Sequence, residues 1–380
     1  KLLFESASEQ SCGWCTIPEM NLTVHEKRWR QECVDRYKKN VTPRYNPYNE
    51  MHAALNYAGM EAWSFLTSLD KKIASFRISS DYVYVAFENK QALQADFESE
   101  SKLNPFNADT ESRISYANTE VLRDNLADVF AIDRIYQKLL RVPGTSWRVQ
   151  SLWNHFYKVL REKNNVDFKW DSPITKVTSL PNASFYLWTI GSTHTLPDIY
   201  RKHSRVQGIG GYWLSMPNPG FKVPFKISAP QPNGYINFTP VDDLLHISGG
   251  FGWIGQRDFQ EACKLLKSTE DNFLKQISFF LKIPIATLKK YGTGCCIRPS
   301  TPTGLPDVKA FSYNGNKNIM ISGACKAGAT QAPLLALHVA RLLELDVDTH
   351  LQSYKENFAK SGNIIDRGLK LLDKGFEPGK

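Results

Sequence analysis

The stretch NIMISGACKAGATQAPLLALHVARLLE, residues 318–344, passes from an apolar strand pattern through a glycine-bearing turn into a helix pattern. Gly323 and Gly328 lie in the turn, where the lack of a side chain lets a ligand approach the backbone closely. The helix that follows is apolar nearly all round, which predicts that it is buried. Its N-terminus offers unpaired N–H groups and the positive end of the helix dipole, so it favours a negatively charged group.

The turn allows two other interpretations besides an anion or cofactor site. The glycine spacing is that of the phosphate-binding loop of nucleotide triphosphatases, but Ala329 stands where that loop has its lysine. No cation would then reach the phosphates, which argues against that class. Tight packing of a strand on a helix, without a ligand, would also favour small residues here and remains the alternative.

Just upstream, GTGCCIRPSTPTGLPDV (292–308) places Arg298 between a cysteine pair and three prolines. Proline fixes its own φ and pushes the residue before it into an extended conformation, so the sequence predicts a stiff loop. A guanidinium held on such a loop can bind a carboxylate through two parallel hydrogen bonds. A solvated surface arginine is the alternative, because a lone arginine is usually exposed.

Towards the N-terminus, helix and strand patterns alternate. Helix patterns cover about 19–70, 93–102, 119–142, 147–163 and 269–281, and strand patterns cover 2–6, 82–88, 166–170, 174–180 and 185–191. Between about 211 and 255 several strand patterns are separated by PNPG, PQPNG and PVDD, which are typical of antiparallel hairpins. The order predicts a mixed α/β protein with an antiparallel sheet inserted into a second domain.

Length and composition exclude several classes of protein. A chain of 380 residues with 42% hydrophobic residues predicts a two-domain globular protein. No run reaches the ~18 apolar residues of a membrane span. The net charge is +9, but the cations are spread thinly, which argues against a nucleic-acid surface and fits a small anionic substrate or cofactor.

The cysteines suggest a reducing environment. The seven cysteines are an odd number and Cys295 adjoins Cys296, which argues against a disulfide framework and predicts a cytoplasmic protein. Cys12 and Cys15 have the CxxC spacing of a redox pair or of half a zinc site. No second such pair supplies the remaining zinc ligands, so no metal site is predicted. A redox pair and ordinary loop cysteines both remain open.

Taken together, these segments resemble the FAD-dependent D-amino acid oxidase, glycine oxidase and sarcosine oxidase superfamily. IRPSTPTGLPDV resembles the arginine–proline loop that holds the substrate carboxylate, and 318–344 resembles the closing strand, turn and helix beside the flavin ring. FYLWTIG resembles the strand that ends near the pyrophosphate, and LLFES the second Rossmann strand, whose terminal acid takes the ribose hydroxyls. The resemblance is specific in the last hundred residues and loose between about 20 and 145.

The resemblance implies a Rossmann-like FAD-binding domain with an inserted antiparallel β-sheet and helices that form the substrate, or cap, domain. The first would comprise 1–20, 145–205 and 290–380, and the second 21–144 and 206–289. The first Rossmann strand and its GxGxxG would precede Lys1 by roughly 25 residues. We therefore expect either a truncated chain, which we favour, or compromised flavin binding.

The resemblance also implies roles for individual residues. Arg298 and Tyr235 would be the catalytic pair, with Arg298 on the substrate carboxylate. Flavin contacts would come from Glu5, Ser6, Ile174, Gly191, Cys296, Gly323, Lys326, Ala327, Gly328, Ala329 and Thr330. Cys296 would form a thioether to the flavin, as in the sarcosine oxidase branch, or would pack as a small apolar side chain.

The implied activity is FAD-dependent oxidation of a small amino or imino acid, of the D-amino acid, glycine or N-methyl amino acid type, by hydride transfer to flavin. The electron acceptor would be O2 or a respiratory or quinone partner. An arginine that binds the substrate carboxylate does not distinguish an amino acid from a hydroxy acid, so an FAD-dependent 2-hydroxy acid dehydrogenase is one alternative. A flavin-free binding protein derived from the fold is another, supported by the missing GxGxxG.

Overall fold

The structure is a computed structural model, and it describes most of the chain. The described residues are 22–40, 47–78, 82–102, 114–120, 129–163, 165–171, 174, 182–189, 191, 206–228, 235–255, 257, 259–268, 270–313, 315–324 and 327–375. The predicted strand LLFES with Glu5 and Ser6, the Cys12–Cys15 pair and Lys326 lie outside these residues.

Eleven α-helices lie in the described residues. They are α1 (Val24–Asn40), α2 (Pro47–Leu69), α3 (Lys71–Ala74), α4 (Lys90–Lys102), α5 (Val149–Glu162), α6 (Phe259–Lys267), α7 (Glu270–Leu281), α8 (Ile285–Tyr291), α9 (Gly328–Leu342), α10 (Asp348–Asn357) and α11 (Ala359–Lys374). A short 3-10 helix covers Ile132–Arg134.

The described strands form two sheets. They are β1 (Tyr82–Phe87), β2 (Ser115–Asn118), β3 (Lys138–Pro143), β4 (Phe185–Trp188), β5 (Gln207–Pro217), β6 (Phe225–Ser228), β7 (Tyr235–Val241), β8 (Leu244–Gly255), β9 (Gly294–Ser300), β10 (Asp307–Tyr313) and β11 (Asn316–Ser322). The larger sheet has the order β2-β3-β1-β6-β7-β8-β5-β9, and the smaller one β10-β11-β4. The predicted mixed α/β class is therefore confirmed.

The chain divides into two compact units. The first comprises Lys1–Asn46, Ile78–Ser146 and Gly208–Arg298, and the second Pro47–Arg77, Trp147–Gln207 and Pro299–Lys380. Pro47–Arg77 thus lies in the same unit as the C-terminal segment, and the predicted domain boundaries remain a prediction. The assignment of one domain to flavin and the other to substrate remains a prediction.

The first unit is built on the larger sheet. Most of its strand pairs are antiparallel, and β1 and β6 are parallel. One face is apolar and packs on α6, α7 and α8, where Leu266, Phe273 and Leu288 are fully buried. Phe225 and Phe238, from neighbouring strands, stack with ring centroids 4.7 Å apart in this core. Burial of these side chains stabilises the sheet, and it determines which face of the sheet packs on the helices and which does not.

The second unit packs helices together and contains the smaller sheet. Helix α2 lies against α9 and α11 through small residues. A Cβ at Gly368 would contact Ala58, and it would lie 3.1 Å from a methyl group of Leu334. Such close approach excludes a larger residue at 368 without movement of the helices. In the sheet, β11 pairs with β10 antiparallel and with β4 parallel.

Two predicted elements are wrong. The helix predicted over 119–142 is replaced at its end by β3, which pairs with β1 and β2. Leu139 and Leu140 are both fully buried, in two different core clusters, so this strand lacks the alternation that identifies a strand with one buried face. The stretch 166–170 was predicted as a strand and has no strand structure.

The hairpin expected at PNPG is also wrong, because β5 and β6 are not neighbours in the sheet. The turn is instead closed by Asn218, whose Oδ1 accepts from the N–H groups of Gly220 and Phe221 at 3.1 and 2.8 Å. The hairpin at PVDD is confirmed, since β7 and β8 are antiparallel neighbours.

The structure also contains a disulfide between Cys263 of α6 and Cys295 of β9. The expectation that the cysteines do not form disulfides is thus wrong for this pair. Spacing alone did not identify it, because α6 and β9 come together only through the core beneath the larger sheet. The cytoplasmic location predicted from the cysteines remains a prediction.

Candidate functional site

Arg298 lies in strand β9 and not in the predicted loop. Strand β9 ends at Ser300, and a short turn leads to β10. Pro299 is compatible with the strand because β9 is the last strand in the order of its sheet, and an edge strand tolerates the loss of one N–H donor. The backbone around Arg298 is therefore held by strand pairing as well as by the neighbouring prolines.

The guanidinium of Arg298 crosses the neighbouring strand β5 and reaches β8. Its Nη1 donates a hydrogen bond to the carbonyl oxygen of Gly250 at 2.7 Å. On the way it lies over Gly211, where a Cβ would be only 2.7 Å from Cζ of the arginine. The register of β5 against β8 shifts at this point, between Gly210↔Gly252 and Tyr212↔Gly249. A bulge with a glycine thus makes room for the arginine side chain.

The charge of Arg298 is available to a ligand. Arg298 is half-buried, and it forms no ion pair with a carboxylate of the described residues. Nη1 is bound to Gly250, and the Nε–H and Nη2–H groups have no hydrogen-bond partner among the described residues, so they can form the two parallel hydrogen bonds of a carboxylate complex. Burying a cation without an anionic partner has an unfavourable free energy, which an anionic ligand would offset.

Strand alternation places Arg298 on the open face of the sheet. Leu214 and Met216 of β5 point into the core, so Gly211 and Trp213 point to the opposite face. A Cβ at Gly294 of β9 would contact the indole of Trp213, which puts Gly294, and by alternation Arg298, on that same face. We call it the arginine face; among the described residues it includes Arg298, Cys296, Trp213, Ser215, Lys226, Asn237, Thr239, His246 and Ser248.

Polar side chains of the arginine face are hydrogen-bonded in cross-strand pairs. Nδ2 of Asn237 lies 3.3 Å from the carbonyl oxygen and 3.4 Å from Oγ of Ser248. Oγ of Ser215 lies 2.6 Å from Nδ1 of His246. Trp213 is 49% exposed, so the face is accessible beside these pairs. Sequence analysis did not identify them, because their partners lie on different strands.

Two more of the predicted residues lie in the first unit. Tyr235 is the first residue of β7 and pairs with Ser228 of β6 along the backbone. Cys296 is half-buried and is a free cysteine two residues before Arg298. The roles predicted for both remain predictions.

In the second unit, parallel pairing brings two predicted flavin residues to one edge. The register of β4 and β11 pairs Trp188 with Met320, and Gly191 and Gly323 each follow three residues later. Both have positive φ, +69° and +80°, which favours glycine. A Cβ at Gly191 would meet nothing within 4 Å, whereas Gly323 lies against Thr301. The carboxyl ends of parallel strands are where α/β proteins bind their ligands.

Helix α9 begins at the same edge, directly after β11. Its N-cap, Ala327, makes no side-chain hydrogen bond to the helix, so the first N–H groups lack a side-chain cap. A Cβ at Gly328 would meet only Cβ of Ala324, at 3.7 Å, which is ordinary contact. The open backbone and the helix dipole fit an anionic or carbonyl-bearing part of FAD. Packing inside the protein does not by itself require glycine at 328.

Helix α2 supports the first turn of α9, which the sequence did not predict. Nε1 of Trp63 donates to the carbonyl oxygen of Ala329 at 2.9 Å. A Cβ at Gly59 would lie 2.9 Å from the carbonyl carbon of Thr330. Next in α9 is the buried Gln331, whose Nε2 donates to Oδ1 of Asn56 at 2.9 Å. The backbone at Ala329 and Thr330 is therefore held by contacts distant in sequence.

The remaining predicted flavin residue, Ile174, is 44% exposed. Lys326, Glu5 and Ser6 lie outside the described residues. Among the described residues no helix is long and apolar enough to cross a membrane.

No protein-family model matches the chain, and the comparison with curated protein sequences also gives no match. Solved structures do match. The L-proline dehydrogenase from P. horikoshii has a TM-score of 0.53 at 11% identity, covering 80% of this chain and 81% of that one. A modified fructosyl peptide oxidase from Aspergillus nidulans has a TM-score of 0.52 at 12% identity, covering 75% and 76%.

The chain shares the fold of this dehydrogenase and this oxidase. The fructosyl peptide oxidase from E. terrenum agrees, with a TM-score of 0.51 at 12% identity and coverage of 74% and 73%. The fold that the resemblance implied is thus confirmed. At such low identity the likeness concerns the fold, and the roles of individual residues remain to be argued from their surroundings.

Proposed function

We propose that the protein is an FAD-dependent oxidoreductase that oxidises a small amino or imino acid at the carbon bearing the nitrogen. The observation that carries this proposal is Arg298, a half-buried cation held by Gly250 and without a carboxylate partner in the described residues. The fold supports it, since the matching structures are named as an L-proline dehydrogenase and fructosyl peptide oxidases.

In this proposal Arg298 binds the substrate carboxylate through Nε–H and Nη2–H. Because the guanidinium is anchored to β8, the bound carboxylate is held in one orientation, and such positioning lowers the barrier of a reaction between two bound partners. Trp213 and Cys296 would lie beside the substrate on the arginine face. An acid–base residue is not required if the amine binds in its neutral form.

The residues of the second unit that fit FAD are Gly191, Gly323 and the first turn of α9. Gly191 leaves the backbone open to the cofactor, and the N–H groups after Ala327 would donate to it. When bound, the flavin would accept the hydride of the substrate and pass the electrons to O2 or to a quinone-type acceptor. The first unit would then serve as the substrate domain and the second as the flavin domain.

The test is a flavin spectrum followed by anaerobic reduction. The purified protein is expected to bind FAD with visible absorption, and an amino or imino acid from a panel of both enantiomers should bleach it without oxygen. Matched 2-hydroxy acids serve as the comparison. Bleaching by the hydroxy acids alone would contradict the proposed substrate class, and a protein that does not bind added FAD would contradict the proposed cofactor.

A further inference from the structure

The orientation of the Asn237 amide is determined by its backbone neighbour. One hydrogen-bond partner of the amide is the carbonyl oxygen of Ser248, which can only accept. Asn237 must therefore present Nδ2 to it, because the opposite orientation would place two acceptors together. Nδ2 also lies within reach of Oγ of Ser248, so that oxygen accepts from Asn237.

This orientation leaves one donor and one acceptor side by side. The hydroxyl hydrogen of Ser248 is free to point away, because its oxygen already accepts. Oδ1 of Asn237 has no hydrogen-bond partner among the described residues. Both residues are half-buried and belong to the arginine face, and their backbones are directly paired, Asn237↔Ser248. An O–H donor beside a C=O acceptor is complementary to a primary amide, which offers the reverse pair.

The distance from Arg298 suits the length of an amino acid. Gly250, which anchors the guanidinium, is two residues beyond Ser248 along β8. Two residues of extended strand span roughly 7 Å, and the backbone at Gly250, where φ is +85°, shortens this distance. Because bond angles shorten each step of an extended chain to about 1.2 Å, roughly six bonds are needed to cross that distance. Glutamine, in which four bonds separate the carboxylate carbon from the amide carbon, has the required length when its oxygens and nitrogen are included.

We propose that Asn237 and Ser248 recognise a side-chain amide, and that the substrate is an α-amino acid of glutamine length with its carboxylate on Arg298. The proposal rests on the proposed function, which it makes more specific. The charges of the arginine face agree, since its described side chains include two cations, Arg298 and Lys226, the second paired with Asn237, and no carboxylate. A side chain ending in a cation would have no counter-charge there, and an apolar one would leave the donor and the acceptor unpaired.

Binding can be measured without the reaction. Glutaramate, which is glutamine without its amino group, has no amine to oxidise, and 5-methylhexanoate has the same shape with an apolar end. Calorimetry on the full chain should show roughly tenfold tighter binding of glutaramate, because the apolar ligand leaves two polar groups unsatisfied. Equal binding of the two ligands, or no binding of either, would overturn the amide site.

Three variants assign the preference to the pair. Asn237→Leu keeps the size of the side chain and should remove the preference for glutaramate while 5-methylhexanoate binds as before. Ser248→Ala should do the same with a smaller structural change. The control is Thr239→Val, which alters a polar side chain two residues further along β7 on the same face and should leave the preference intact. A preference that survives both Asn237→Leu and Ser248→Ala contradicts the assignment.

The two proposals fail in different ways. If glutaramate is preferred but no amino acid reduces the flavin, the amide site holds and the proposed oxidation is wrong. If amino acids reduce the flavin while methionine and glutamine do so with equal kcat/KM, the oxidation holds and the amide site is wrong.

Discussion

The guanidinium of Arg298 occupies the space that a side chain at Gly211 would need. A Cβ at 211 would lie 2.7 Å from Cζ of the arginine, closer than two such atoms approach. Gly211 lies in the interior of β5, where glycine is otherwise unfavourable, and the register of β5 against β8 shifts there. The glycine and the arginine are therefore one feature of the sheet, and the proposed carboxylate site depends on both.

Gly211→Ala should displace the arginine and weaken carboxylate binding. The added methyl group forces Arg298 away from Gly250, so we expect KM for the substrate to rise about tenfold or more, with a smaller change in the melting temperature. Steady-state kinetics and a thermal unfolding curve measure the two effects. In an Arg298→Ala background the methyl group meets no guanidinium, and Gly211→Ala should then add nothing. Additive effects of the two substitutions would show that Gly211 acts independently of Arg298.

Arg298→Ala should lower kcat/KM by a hundredfold or more for a carboxylate substrate, because a half-buried ion pair is lost. Arg298→Lys should be nearly as damaging, since an ammonium group cannot form the two parallel hydrogen bonds and cannot reach Gly250 in the same way. Flavin content should stay constant in both variants. Near-normal kinetics in Arg298→Ala would rule out the carboxylate site.

Gly328→Val should weaken flavin binding while the protein stays folded. A Cβ at 328 would meet only Cβ of Ala324 at 3.7 Å, so the fold has room for a first side-chain carbon. Flavin titration into the apoprotein, alongside circular dichroism, measures both properties. Gly323→Ala is the matched comparison: its φ of +80° and its contact with Thr301 predict lost stability with or without flavin. Unchanged flavin affinity in Gly328→Val would mean that the turn does not approach the cofactor.

The buried His338 should make stability pH-dependent. Burial among the helices lowers the pKa of His338 below its ordinary value of 6.5, although Asp373, 3.3 Å from Nδ1, opposes the shift. The unfolded chain then binds a proton at higher pH than the folded chain, so the free energy of unfolding falls as the pH drops below about 6.5. Urea unfolding at about pH 7.5 and about pH 5.5 should show this loss.

His338→Gln should reduce that pH dependence, whereas His350→Gln should not, because His350 is exposed in α10. The same pH dependence in His338→Gln and in the unmodified protein would assign it to other groups.

The sequence predicted the elements whose signals are local. Strand β11 with helix α9 and the hairpin of β7 and β8 were all recognisable, because apolar periodicity and turn residues are read within a few positions. Strand β3 was missed, since Leu139 and Leu140 are buried in two different clusters and the alternation is lost.

For the candidate site, the sequence alone indicated two features: one arginine among prolines, and a glycine turn before a buried helix. It could not show that Arg298 crosses β5 at Gly211, that Asn237 and Ser248 pair on the same face, or that Trp63 of α2 holds the turn of α9. These contacts join residues that are distant along the chain. Many strand pairings are compatible with the same local sequence pattern, and the strand order and the packing of the core determine which of them forms. Local propensity therefore determined which segments form helices and strands. The burial of one face of the sheet determined which side chains from different strands come into contact.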